Sequence, residues 1–99
     1  MKIKSGVILN GLNINMRKVL ILADKLWAEN GQELVITAGL DGAHSPGSLH
    51  YYGLALDLRT RYFDLRTQEI IAQRLSDGLG DDYDVVLHRS HIHVEYDPK

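Results

Sequence analysis

Residues 53–59 of the chain are Gly53-Leu54-Ala55-Leu56-Asp57-Leu58-Arg59, in which the apolar residues alternate directly after a glycine. Successive side chains of an extended chain point to opposite faces, so the leucines at 54, 56 and 58 share one face. The alanine, aspartate and arginine between them share the other face. The stretch therefore predicts a half-buried strand that carries a carboxylate on its more polar face.

An amphipathic helix is predicted upstream, from Asn15 to Asn30, because apolar residues recur there at steps of three and four. Asn13 or Asn15 can cap its start by accepting a hydrogen bond from a backbone N–H group. The pair Asn30-Gly31 is typical of a helix end. The predicted apolar face comprises Met16, Val19, Leu20, Ala23, Leu26 and Trp27.

A second helix is predicted to begin near Asp64 or Thr67 and to end between Gly78 and Gly80. Its predicted buried residues are Ile70, Ile71, Leu75 and Leu79.

Three more strands are predicted, at Glu33–Thr37, Tyr83–Leu87 and His91–Tyr96. A loop is expected over Ala38–Ser48, which contains three glycines and a proline. Helices and strands do not alternate regularly, which favours an α+β fold with a small antiparallel sheet and two helices packed on one side of it. We expect one domain over residues 1–99, since a chain of this length holds one core.

The composition excludes several classes of protein. The net charge is −2, and the eleven Lys and Arg residues are scattered among thirteen Asp and Glu, which argues against a nucleic acid partner. Cysteine is absent, so a metal site must use histidine and carboxylate. A secretory signal and an apolar run of the ~18 residues that a membrane span needs are also absent. We therefore expect no membrane insertion and a cytoplasmic protein, or one exported by a route that the chain does not encode.

The histidines are unevenly distributed, because all five lie between His44 and His93. Any one of them, taken alone, is best interpreted as an ordinary polar residue at a strand edge or in a loop. Five of them gathered around predicted loops and strand ends indicate a functional site.

Two segments can supply metal ligands. His50 precedes Gly53, and a bend at this glycine would bring the imidazole over Asp57 on the following strand. His91 and His93 are two residues apart, so they project from one face of the last predicted strand. Two imidazoles and one carboxylate form a ligand set that suits zinc and leaves a position for water, which the ion can make nucleophilic at neutral pH.

These residues resemble a known family of zinc peptidases, which includes D-alanyl-D-alanine carboxypeptidases, phage L-alanyl-D-glutamate endolysins and the related hedgehog signalling domain. The resemblance covers about residues 37–98 and rests on Ser48-x-His50-x-x-Gly53-x-Ala55-x-Asp57 followed by His91-x-His93. It implies a hedgehog-like or DD-peptidase-like α+β domain. It also implies that zinc is bound by His50, Asp57 and His93, that His91 assists at the transition state, and that Ser48 orients its loop.

Two departures from the family pattern stand out. His88 occupies the position, five residues before His93, where similar phage sequences usually carry a glutamate. Some carboxypeptidases of the family use a histidine thereabouts, so His88 is the expected general base, with Glu95 as the second candidate. The family's arginine for the substrate carboxylate is missing from residues 37–41. Arg59, Arg61 or Arg89 can supply that cation, and the sequence does not indicate which of the three does so.

The expected function is zinc-dependent hydrolysis of a peptide bond in the stem peptides of bacterial peptidoglycan, as in a phage or prophage lysis enzyme. Such an enzyme would reach the wall after release from the cytoplasm or as part of a virion. The main alternative is a zinc-stabilised binding domain without turnover, and a metal-free structural domain comes third. The bond cut and the oligomeric state are left open.

Overall fold

The computed structural model describes residues 1–41 and 52–98. Two α-helices and five β-strands make up the described part of the chain. The helices are α1 (Arg17–Glu29) and α2 (Leu65–Leu79). The strands are β1 (Lys2–Ile3), β2 (Val35–Ala38), β3 (Ala55–Arg59), β4 (Tyr83–Leu87) and β5 (His91–Tyr96).

The strands form one sheet in the order β1-β2-β3-β5-β4. The pairs β2–β3, β3–β5 and β5–β4 are antiparallel, whereas β1 pairs with β2 in parallel. The expectation of a wholly antiparallel sheet was therefore wrong at one edge. A strand of two residues has no periodicity to detect, and its position depends on hydrogen bonds from Lys2 N to Leu34 O (2.7 Å) and from Lys4 N to Ile36 O (3.0 Å).

Helix α1 confirms the first predicted helix, with a single 3-10 turn (Ile14–Met16) before it. Asn13 begins this turn, because its side chain accepts a hydrogen bond from the backbone N–H of Asn15. The chain leaves the helix through Gly31, whose φ of +79° is a conformation that glycine adopts without strain.

Helix α2 confirms the second predicted helix, and Asp64 is its N-cap, accepting a hydrogen bond from the Thr67 N–H at 2.7 Å. One predicted core residue was wrong, because Ile70 is 43% exposed. Adjacent helical residues lie about 100° apart around the axis, and Ile70 lies off the line through Ile71, Leu75 and Leu79, which follow one another at steps of four. The buried stripe runs instead through Ile71, Leu75 and Leu79.

One hydrophobic core joins both helices to one face of the sheet. The sheet contributes buried residues that alternate along its strands, namely Ile36, Leu56, Leu58, Ile92 and Val94. Trp27 of α1 is fully buried and donates its Nε1–H to the carbonyl oxygen of Arg59 at 2.8 Å, which ties α1 to the end of β3. The α+β class is thus confirmed. The residues between the core positions point to the opposite face of the sheet, which we call the open face.

No helix within residues 1–41 and 52–98 is both long enough and apolar enough to cross a membrane.

Candidate metal centre on the open face of the sheet

The last strand directs its polar side chains away from the core. Ile92 and Val94 of β5 are fully buried, so His91, His93 and Glu95 between and beside them project from the open face. This agrees with the prediction that the two histidines share a face. The strand thus places two imidazoles and a carboxylate in one row.

The central strand brings Asp57 to the same row. In the antiparallel pairing of β3 with β5, Asp57 stands directly opposite His93 and Arg59 stands opposite His91. Oδ1 of Asp57 lies 2.9 Å from Nδ1 of His93. Two of the three predicted metal ligands therefore meet, donor atom to donor atom, across the two central strands.

His93 is held from both sides. Its Nε2 lies 2.8 Å from Oε1 of Glu95, while its Nδ1 faces Asp57. The hydrogen bond to Asp57 raises the pKa of His93 above its ordinary value, and Glu95 adds to this effect while burial of the ring opposes it. Without a metal ion, two carboxylates thus favour the doubly protonated imidazolium.

His91 and His88 extend the cluster toward the β4–β5 turn. Nε2 of His91 lies 3.8 Å from Oδ2 of Asp57, and its Nδ1 is 3.3 Å from the Ser90 hydroxyl. The ring of His88 stacks on that of His91, with 4.8 Å between centroids, and lies 6.4 Å from the ring of His93. The three histidines are therefore neighbours although one of them lies outside a strand.

The turn between the strands keeps His88 in place. The backbone N–H of His88 donates to the carbonyl oxygen of His91 at 2.8 Å. This bond closes the β4–β5 connection directly beside the site.

The third predicted ligand, His50, lies outside the described residues, together with His44 and Ser48. Gly53, where a bend was predicted, has a φ of +71°. Its carbonyl oxygen accepts a hydrogen bond from the Asn13 N–H at 2.8 Å. The chain therefore turns where the prediction placed a turn, immediately before β3.

A cationic cleft adjoins the cluster. It has a volume of about 250 Å³ and reaches from the end of β1 across β2 and β3 to the β4–β5 turn. Three of its lining residues are cationic, and none of these three forms an ion pair with a carboxylate of the described residues. The lining consists of Lys4, Thr37, Ala38, Asp57, Arg59, Arg61 and Ser90.

Four residues of this cleft were missed by the sequence analysis, namely Lys4, Thr37, Ala38 and Ser90. Lys4 arrives there because β1 pairs with β2, which no pattern in the sequence indicated. Thr37 lies on β2 beside β3 and donates its hydroxyl hydrogen to the Asp57 carbonyl oxygen at 3.4 Å. A polar residue between two apolar neighbours, Ile36 and Ala38, was the available signal for Thr37.

A group of carboxylates that includes Glu95 extends the cluster along the open face. Within the described residues, Asp84, Glu95 and Asp97 place one oxygen each within 4.8 Å of one another. Oxygen ligands alone suit hard cations rather than zinc, and exposed acidic groups are common without any ion. This group therefore does not replace the predicted His–Asp site.

The chain was compared with protein-family models and with curated proteins. No family model matches the chain, and no curated protein matches it significantly. The function is therefore inferred from the residues and the geometry of the site.

Proposed function

We propose that this protein is a zinc-dependent peptidase that cleaves the stem peptides of bacterial peptidoglycan. The observation that carries the proposal is the contact of Asp57 Oδ1 with His93 Nδ1 at 2.9 Å on the open face. His91 and His88 lie beside this pair, so groups for metal binding and for proton transfer are gathered at one place. His50, on the segment before Gly53, is the proposed third ligand.

The donor set fits a zinc ion. Zinc in catalytic sites takes imidazole nitrogen and carboxylate oxygen at about 2.0–2.2 Å, so two ligands of a tetrahedral ion lie about 3.3 Å apart. The separation of 2.9 Å between the donor atoms of Asp57 and His93 is close to that value. A displacement of either donor atom by a few tenths of an ångström would bring the two atoms to the spacing that a shared ion requires.

Zinc at such a site lowers the pKa of a bound water molecule to about 7, which supplies a nucleophile at neutral pH. His88 is the proposed general base, because its exposed imidazole stands over His91 at the edge of the cluster. It would accept a proton from the water and return it to the leaving amine. His91, beside Asp57, is the proposed donor to the oxygen on which negative charge develops.

The cationic cleft supports a substrate with a free carboxylate near the scissile bond. Arg59 and Arg61 line the cleft together with Asp57, whereas Arg89 is not among its lining residues. Arginine binds carboxylates through two parallel hydrogen bonds, which fixes both position and orientation. We therefore propose Arg59 and Arg61, with Lys4, as the cations that hold the stem-peptide carboxylate.

The test is amine release from purified peptidoglycan and from synthetic stem peptides by the zinc-loaded protein. We expect release by the wild type and none by Asp57→Ala or His93→Ala. Arg61→Ala should raise KM for a peptide with a free carboxylate and leave KM for the matching amide unchanged. Stoichiometric zinc without any release would instead identify a zinc-stabilised binding domain.

A further inference from the structure

Glu95 contacts the His93 ring at the nitrogen that does not face Asp57. We propose that Glu95 is a positioning residue that holds the His93 ring so that Nδ1 is presented to the zinc site beside Asp57. This inference rests on the zinc site of the proposed function. It assigns Glu95 a part different from that of a general base.

The geometry gives each nitrogen of His93 its own partner. Nδ1 faces Asp57 Oδ1 at 2.9 Å and Nε2 faces Glu95 Oε1 at 2.8 Å. The exposed fractions are 19% for the His93 side chain and 26% for that of Glu95, so the bond is partly shielded from water. A charge-assisted bond of this length fixes the plane of the ring as well as its position.

The bond to Glu95 also selects the tautomer. A neutral imidazole carries one hydrogen, and a carboxylate on Nε2 favours the form with that hydrogen on Nε2. The lone pair is then on Nδ1, which is the nitrogen directed at Asp57. Carboxylates that accept the second N–H group of a metal-binding histidine have this effect in many metal sites.

The position of Glu95 argues against a role as base. It lies two residues beyond His93 on β5, with the imidazole ring between its Oε1 and Asp57. Its cross-strand neighbours are Ala55 on β3 and Asp84 on β4. Asp57 lines the cationic cleft and Glu95 does not, so Glu95 lies outside the space where we place the substrate.

Zinc affinity separates the two roles, and it can be measured by competition with a chromogenic chelator without any turnover. For Glu95→Ala we expect zinc to bind about 10–100-fold more weakly, the usual loss when such a supporting partner is removed. Glu95→Gln keeps a carbonyl oxygen that can accept the Nε2–H bond, so its affinity should lie between those of the wild type and the alanine variant. His88→Ala is the matched control and should bind zinc as the wild type does.

Nitrogen-15 NMR of the histidine side chains provides a second readout. In the zinc-loaded wild type, His93 should show a hydrogen on Nε2 and a metal-shifted Nδ1. Glu95→Gln should retain this tautomer, which keeps the test valid if Glu95→Ala does not fold.

Equal zinc affinity in the wild type and both Glu95 variants, with turnover reduced in both, would overturn the positioning role and make Glu95 the base. A His93 that carries its hydrogen on Nδ1 in the zinc-loaded protein would overturn it as well. A wild type that binds no zinc would overturn the proposed function itself, a result that differs from these.

Discussion

Asp57 and His93 face each other across the pairing of β3 with β5, and Oδ1 of the carboxylate lies 2.9 Å from Nδ1 of the imidazole. An ion held between these atoms would bind only the folded chain, so the proposed zinc should stabilise the protein. At a free zinc concentration 100 times the dissociation constant, the gain in free energy of unfolding is about 2.7 kcal/mol. We expect one zinc per chain after dialysis and a lower melting temperature after chelation.

Variants of the predicted ligands should remove this stabilisation. Asp57→Ala, His93→Ala and His50→Ala should each lose stoichiometric zinc and the dependence of the melting temperature on the chelator. His44→Ala removes a histidine that is not among the proposed ligands and serves as control. Retention of one zinc per chain in His50→Ala would show that the third ligand is another residue.

The metal-free protein should lose stability as the pH rises. The pKa of His93 is raised above its ordinary value of 6.5, chiefly by the hydrogen bond to Asp57. A raised pKa means that the folded state holds the proton more tightly than the unfolded state. The resulting stabilisation is fully present below pH 6.5 and disappears as the pH rises through the pKa of folded His93.

Thermal melts of the chelated protein between pH 5.5 and 9 test this expectation. The melting temperature should fall toward the alkaline end of that range, and His93→Gln should show a smaller fall. Identical pH profiles for the two proteins would mean that another group is responsible.

Gly53 should tolerate substitution much less well than Gly31. Both have positive φ, +71° and +79°, so an alanine at either position carries a backbone penalty of about 1–2 kcal/mol. At Gly53 a Cβ would also collide with the Gly11 carbonyl oxygen, whereas at Gly31 nothing lies within 4 Å. We expect Gly53→Ala to lower the free energy of unfolding by about 1–3 kcal/mol more than Gly31→Ala does.

Denaturant unfolding of the two variants, without zinc, gives this comparison directly. Equal losses would show that the chain segments around Gly11 and Gly53 can move apart at little cost.

Thr60 offers a substitution that should stabilise the fold. Its side chain is fully buried at the end of β3, and its Oγ1 has no hydrogen-bond partner among the described residues. A buried hydroxyl without a partner costs free energy, so Thr60→Val should raise the free energy of unfolding by about 1 kcal/mol. Thr37→Val is the contrasting variant: its hydroxyl donates a hydrogen bond to the Asp57 carbonyl oxygen, so its loss should not raise the free energy of unfolding. A loss of stability in Thr60→Val would show that the hydroxyl has a partner.

The strands that carry the site were predictable because their patterns are local. The alternation in residues 53–59 and the spacing of His91 and His93 identify the strands and the faces that they present. Asp64 and Gly31 mark helix ends through interactions with residues nearby in sequence. The bounds of β4 and β5 were confirmed for the same reason.

The remaining features depend on contacts that no local pattern encodes. Asp57 and His93 are 36 residues apart, and the register that sets them opposite each other results from core packing along both strands. Lys4 reaches the cleft through a parallel pairing of only two residues. Ile70 and Ile71 have equal hydrophobicity, so only the direction of α2 relative to the sheet decides which of them is buried.

The proposed base can be separated from the metal ligands by its kinetic signature. His88 stacks on His91 but is exposed, so its removal should leave folding and zinc content intact. A group that acts only while a proton moves affects turnover, and His88→Ala should lower kcat by about 10²–10⁴-fold. Arg89→Ala, at the neighbouring exposed position, is the matched control and should keep full activity.

Chemical rescue distinguishes a base from a residue that merely supports the turn. Imidazole added to His88→Ala should restore part of the lost turnover, since a free base can enter the space left by the side chain, whereas Arg89→Ala should not respond. Zinc content, melting temperature and turnover of His88→Ala are to be measured on the same preparation. A variant that loses zinc or unfolds at lower temperature, and that imidazole does not rescue, would make His88 a structural residue of the β4–β5 turn and leave the role of base to another group.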